Sequence, residues 1–192
     1  HFMAKEIAEQ PEVIGHTLSH YLDATGPSVS LNDKRLEKAL TNATRLTISA
    51  CGTAFYAGLV GKYWFEQLAR LPVEADVASE LRYREPVYPK DGVALFISQS
   101  GETADTLAAL RDAKAQGQTT IAIVNVTESS IAREADIALP TFAGPEIGVA
   151  STKAFTCQLS ALAALAIAAG RARGHLDAAQ EKKLCGALLE LP

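Results

Sequence analysis

The sequence is poor in several things, and each shortage excludes something. Three cysteines occur in 192 residues, Cys51, Cys157 and Cys185, with no CxxC spacing. That excludes a disulfide miniprotein and predicts reduced thiols in a cytoplasmic protein. Basic residues do not outnumber acidic ones, 18 against 22, for a net charge of −4. With no cationic excess to neutralise a phosphate backbone, no nucleic-acid partner is expected. An anionic ligand would have to be held by local geometry. No uncharged run reaches the roughly 20 strongly apolar residues of a membrane span. The longest, residues 154–170, carries Thr156, Gln158 and Ser160 and predicts a buried helix, so no membrane partner is expected. No signal peptide opens the chain, which starts at His1 and reads as a fragment. Neither GxGxxG nor GxxxxGK[ST] is present, which disfavours dinucleotides and nucleoside triphosphates.

What is present describes an ordinary globule, 48% hydrophobic and 21% charged, of a length for one domain with a sizeable core. Residues 2–22 are predicted helical, with Pro11 opening a second segment. Residues 26–30 read as a loop, and Asn32 as the cap of a short helix ending at Leu40. Short apolar strands then alternate with helices. The strands fall at 46–50, 73–77, 93–97, 119–124 and 137–139. The helices fall at 53–70, 78–84, 103–116, 129–134 (capped by Ser129), 151–169 and 177–189. Nearly continuous apolar strands alternating with helices indicate an α/β fold: a three-layer, doubly wound, parallel five-stranded sheet.

In such sheets ligands sit beyond the carboxyl ends of the strands, where strand order reverses. An order of 2-1-3-4-5 would place that point between the first and third strands. After the third strand comes Ser98-Gln99-Ser100-Gly101-Glu102-Thr103. Gly101 permits a tight turn and close approach to a ligand. The next helix start offers open N–H groups, and three hydroxyls add donors, so the segment can cradle a phosphate with neutral groups. Helix capping alone would use the same residue types. Glu102 is expected to point away. Gly52 and Thr53 after the first strand could reach the same ligand or merely cap a helix. Cys51 reads as a small buried residue rather than a reactive thiol. Lys153, just inside a helix start, asks for a carboxylate or ligand partner unless it is solvated. Glu146 reads as a surface carboxylate ahead of a general base. His16 and His20, four apart, suit a metal in principle but have no third ligand, so no metal is expected. Arg82 and Arg84 are expected to form ion pairs across their short helix, and contacts with a partner domain are the weaker reading.

Ser98-Gln-Ser-Gly-Glu-Thr103 followed by Ala-Asp-Thr-Leu resembles the phosphosugar-binding loop of sugar isomerase (SIS) domains. Residues 1–11, Cys51-Gly-Thr53, residues 62–66, residues 78–84 and residues 146–155 together resemble the glutamine–fructose-6-phosphate aminotransferase family over nearly the whole chain. The resemblance implies the first SIS subdomain of the isomerase part (residues 45–192, flavodoxin-like order), preceded by hinge helices at 1–44. It implies that Ser98, Gln99, Ser100 and Thr103 hold the phosphate, and that Cys51, Gly52, Thr53, Val149 and Ser151 line the sugar. Many members have serine where this chain has Ala54, so Ala54 is left out of that set. The implied ligand is fructose 6-phosphate, glucose 6-phosphate or glucosamine 6-phosphate, with no cofactor. Catalytic groups are expected elsewhere in the family's longer chain, in a glutaminase domain and a second SIS subdomain. A homodimer is also implied. A free-standing regulatory sugar-phosphate module and a stand-alone phosphosugar isomerase are the alternatives.

Overall fold

The computed structural model describes every residue except Ala24 and Asn32. At the N-terminus, α1 (Phe2–Ala8) and α2 (Gln10–Tyr21) are separate helices. Pro11 sits in the first turn of α2, where its missing N–H removes no internal helix bond. Two-residue strands β1 (Leu22–Asp23) and β2 (Ser28–Val29) then form an antiparallel hairpin. The sequence predicted only a loop here. Strands this short show no periodicity, and the turn rests on Asp23 Oδ1 accepting from Thr25 N at 2.8 Å. In α3 (Lys34–Asn42), Asp33 fills the cap position and accepts from Arg35 N. Asn32, the expected cap, lies outside the described residues.

The main body alternates as predicted, through β3 (Leu46–Ala50), α4 (Gly52–Ala69), β4 (Val73–Val77) and α5 (Ala78–Leu81). It continues through β5 (Val93–Ser98), α6 (Ala104–Ala115), β6 (Thr119–Val124), α7 (Ser130–Glu134) and β7 (Ile137–Pro140). Two helices, α8 (Lys153–Ala172) and α9 (Ala178–Leu189), complete it. The five-stranded sheet is ordered β4-β3-β5-β6-β7 and is parallel throughout, the expected 2-1-3-4-5 arrangement. The point of reversal therefore lies between β3 and β5.

Side chains alternate across each strand. Val93, Leu95 and Ile97 of β5 join the larger core with α4 and α8, while Ala94 and Phe96 join the smaller one with α5, α6 and α7. Leu18, Tyr21, Leu36 and Leu40 from the N-terminal helices enter the larger core. The uncharged run forms the middle of α8. That helix is long and apolar enough to cross a membrane by composition, yet 72% of its most apolar window is buried inside this chain.

Three local expectations need correction. Helix α5 ends at Leu81 rather than residue 84; the chain leaves it through turns and reaches a positive φ at Glu85. One turn of helix cannot pair its own arginines, so they reach neighbouring elements. Arg82 bonds Asp105 of α6 at 2.6 Å, and Arg84 bonds Glu74 and Asp76 of β4 at 2.7 and 2.9 Å. Cys51, expected as a small buried residue, is only half-buried at the start of α4.

Candidate functional site

A pocket of about 260 Å³ opens at the carboxyl ends of β3 and β5. Cys51, Thr53 and Ala54 line it from the start of α4, Ile97 and Ser98 from the end of β5, and Gln99, Ser100 and Thr103 from the β5–α6 loop. The third wall holds Glu146, Gly148, Val149 and Ser151 of the β7–α8 loop, with Gln158 of α8. Eight of the nine predicted site residues are thus brought together. Gly52 is the exception: it starts α4 with φ +59° but does not line the pocket. No lysine or arginine lines it and Glu146 is its charged lining residue, so an anion would have to be held by the neutral donors on the β3–β5 side. The volume is at the small end for a ligand pocket.

The β5–α6 loop is fixed by its own hydroxyls. Ser98, 3% exposed, accepts from Gly101 N at 3.0 Å and lies 3.1 Å from Thr103 Oγ1. Ser100 Oγ accepts from Glu102 N at 3.2 Å. A hydroxyl that accepts in this way keeps its own proton to donate. Thr103 makes no side-chain cap, so the N–H groups of the first turn of α6 are left open toward the pocket end of the helix. Gly101 has φ +65°, and a Cβ there would lie 1.9 Å from Ser129 Oγ. Its close approach is therefore to the start of α7 rather than to a ligand, as the sequence had suggested. Glu102 points away as predicted. Its Oε1 accepts from Ser130 N at 2.8 Å, a bond that holds its carboxyl below its ordinary pKa.

The opposite wall is held by carboxylates from three places. Glu146, expected as a surface carboxylate, is half-buried and lines the pocket. Its oxygens accept from Thr152 N (2.8 Å), Ser151 Oγ (3.0 Å) and Ala154 N (3.3 Å), capping α8, which Thr152 leaves uncapped. Lys153 is buried against that helix start, and Glu9 of α1–α2 supplies the partner its position required, at 2.6 Å. Lys153 and Lys5 together hold the Glu9 carboxyl below its ordinary value. Glu6, buried in α1, reaches the loop itself: Oε1 accepts from Ile147 N at 2.6 Å and from Gly148 N at 3.1 Å. A Cβ on Gly148 would lie 2.5 Å from Glu6 Oε2, so any larger residue there would have to push the carboxylate aside.

Five lining residues escaped the sequence reading as site residues: Ala54, Ile97, Glu146, Gly148 and Gln158. Glu146 lies six residues before the Thr152 cap position, outside any local capping pattern. Gln158 had only its polarity within an apolar run. His16 and His20 lie on an exposed face of α2, with His20 against the rings of Tyr21 and Phe142.

The SIS domain profile matches residues 39–168, more than half of the chain and every strand of the large sheet. The chain belongs to the SIS domain family. Over its whole length this SIS chain is 65% identical to glutamine–fructose-6-phosphate aminotransferase [isomerizing] of Bradyrhizobium diazoefficiens and 57% identical to that of Zymomonas mobilis. It spans 31% of the length of each. Among solved structures, the C-terminal domain of glucosamine-fructose-6-phosphate aminotransferase from Francisella tularensis superposes with a TM-score of 0.94 at 46% identity. That match covers 98% of this chain and 52% of the other. Glucosamine-6-phosphate deaminase from Thermotoga maritima superposes with a TM-score of 0.74 at 25% identity, covering 99% and 54%. The motif resemblance to the aminotransferases is thereby borne out.

Proposed function

We propose that this chain is the phosphosugar-binding SIS half of the isomerase part of a glutamine–fructose-6-phosphate aminotransferase, and that its pocket holds the phosphate end of fructose 6-phosphate. The observation that carries this reading is the cation-free cradle at the β3–β5 reversal: Ser98, Ser100 and Thr103 hydroxyls beside the uncapped start of α6. Hydroxyls and backbone N–H groups at a helix start bind phosphate without help from net charge, which accommodates the overall −4. Cys51, Thr53, Val149 and Ser151 would line the sugar carbons, and Gly52 would act by shaping the turn. Residues 1–44 serve as a strap on the 45–192 domain, since Glu6 and Glu9 fasten the pocket's far wall.

In the whole enzyme this half binds and orients the ketose phosphate, which lowers the barrier by fixing the reacting carbons. Amination at C2 and the proton shift between C1 and C2 fall to groups outside this chain, which makes up about a third of the relatives' length. The setting is a cytoplasmic enzyme and a homodimer.

A thermal-shift titration tests the reading. Fructose 6-phosphate is expected to raise the melting temperature, since a ligand at ten times its Kd stabilises by about 1.4 kcal/mol. Thr103→Glu places a negative charge in the cradle and is expected to abolish the shift. An undiminished shift in Thr103→Glu, or none in the wild type, refutes the assignment. The chain alone is expected to make no glucosamine 6-phosphate.

A further inference from the structure

One polar side chain in the pocket wall has no explanation within the chain. Gln158 stands in the second turn of α8, between Cys157 and the core residues Ala161 and Leu162. It is 3% exposed, it lines the pocket, and its Oε1 is wholly buried with no hydrogen-bond partner. No described residue bonds its carboxamide. An unpaired buried amide is costly, and a leucine or methionine of similar volume would avoid that cost. The Glu146 carboxylate and the Ser98, Ser100, Thr103 and Ser151 hydroxyls of the pocket wall each have a partner within the chain, and the Thr53 hydroxyl is exposed. Gln158 fixes nothing, and it projects from a rigid helix rather than from a loop.

The chemistry of the missing partner can be narrowed. A carboxamide offers both donors and an acceptor. A phosphate dianion supplies acceptors only, so it would leave the amide oxygen unpaired and repelled. A hydroxyl group supplies a donor and an acceptor together. We infer that Gln158 is a positioning residue for the carbon chain of the ligand, hydrogen-bonding a sugar hydroxyl while the Ser98–Thr103 loop takes the phosphate. This deepens the sugar-phosphate reading and rests on it. It assigns the two walls of the pocket different tasks: one anchors the anion and the other reads the hydroxyls.

The test compares fructose 6-phosphate with inorganic phosphate, by calorimetric titration of the wild type, Gln158→Leu and Gln158→Met. Both apolar variants are expected to melt at or above the wild-type temperature, because an unpaired amide is removed. Their affinity for fructose 6-phosphate is expected to fall at least tenfold, with affinity for inorganic phosphate unchanged. A structural role would lower both affinities together. Equal loss for both ligands, or unchanged affinity for the sugar phosphate, overturns the role of Gln158 and leaves the phosphate cradle standing. A wild type that binds neither ligand refutes the sugar-phosphate reading itself, and this role with it.

Discussion

Replacing Glu6 by alanine removes the contact through which the N-terminal helices hold the pocket's far wall. The carboxylate is 3% exposed and accepts from two backbone N–H groups, Ile147 at 2.6 Å and Gly148 at 3.1 Å. Hydrogen bonds to a charged acceptor contribute about 1.5–3 kcal/mol each when the donors are left buried. Here the freed donors lie in a partly exposed loop and regain water, since Ile147 is itself exposed. The lower end of the range applies, and Glu6→Ala is expected to cost about 2–3 kcal/mol. The loop would then spend only part of its time in the binding geometry, and apparent affinity falls by that fraction. Gly148→Ala attacks the same contact from the other side, because its Cβ would lie 2.5 Å from Glu6 Oε2. Urea unfolding gives the stability change, and calorimetry gives the affinity for fructose 6-phosphate. If Glu6→Ala is within about 0.5 kcal/mol of the wild type, or weakens the fold while leaving affinity unchanged, the strap does not act on the site. The double variant should lose little more than either single one, since both break one contact.

Three further outcomes are expected. Gly101→Ala should destabilise by about 2–4 kcal/mol, from a left-handed backbone at φ +65° and a Cβ 1.9 Å from Ser129 Oγ; pairing it with Ser129→Gly should recover only the steric part in a urea melt. Native alkylation followed by peptide mapping should label Cys51 first, because Cys157 and Cys185 are wholly buried, with burial pushing the Cys157 thiol up and the Cys185 thiol up to about 11; fructose 6-phosphate should slow the labelling of Cys51, and equal labelling of all three thiols in the native state contradicts the packing. Glu102 has its folded-state pKa depressed below its ordinary 4.5 by the Ser130 N–H, so its contribution is present above pH 4.5 and is lost as pH falls through the lower folded value; Glu102→Gln keeps an acceptor for Ser130 and should flatten that acid limb of the stability curve.

The sequence by itself determined the sheet and most of the pocket. Five apolar strands alternating with helices indicate a parallel sheet covered on both faces, while the strand order that places the reversal point between β3 and β5 was an expectation the structure bore out. Ser98 to Thr103 were legible because hydroxyls and glycine after a strand carry a local chemical meaning. The β1–β2 hairpin was not legible, because two-residue strands leave no periodicity and one Asx turn shapes the bend. Only the tertiary structure decided which carboxylate meets which backbone. Glu6 and Gly148 are 142 residues apart, and Glu9 and Lys153 are 144 apart. No local pattern encodes a pairing that depends on how α1 and α2 lie against α8. The same holds for Gln158: its polarity was visible in the apolar run, but packing on the core left its amide unpaired at the pocket wall.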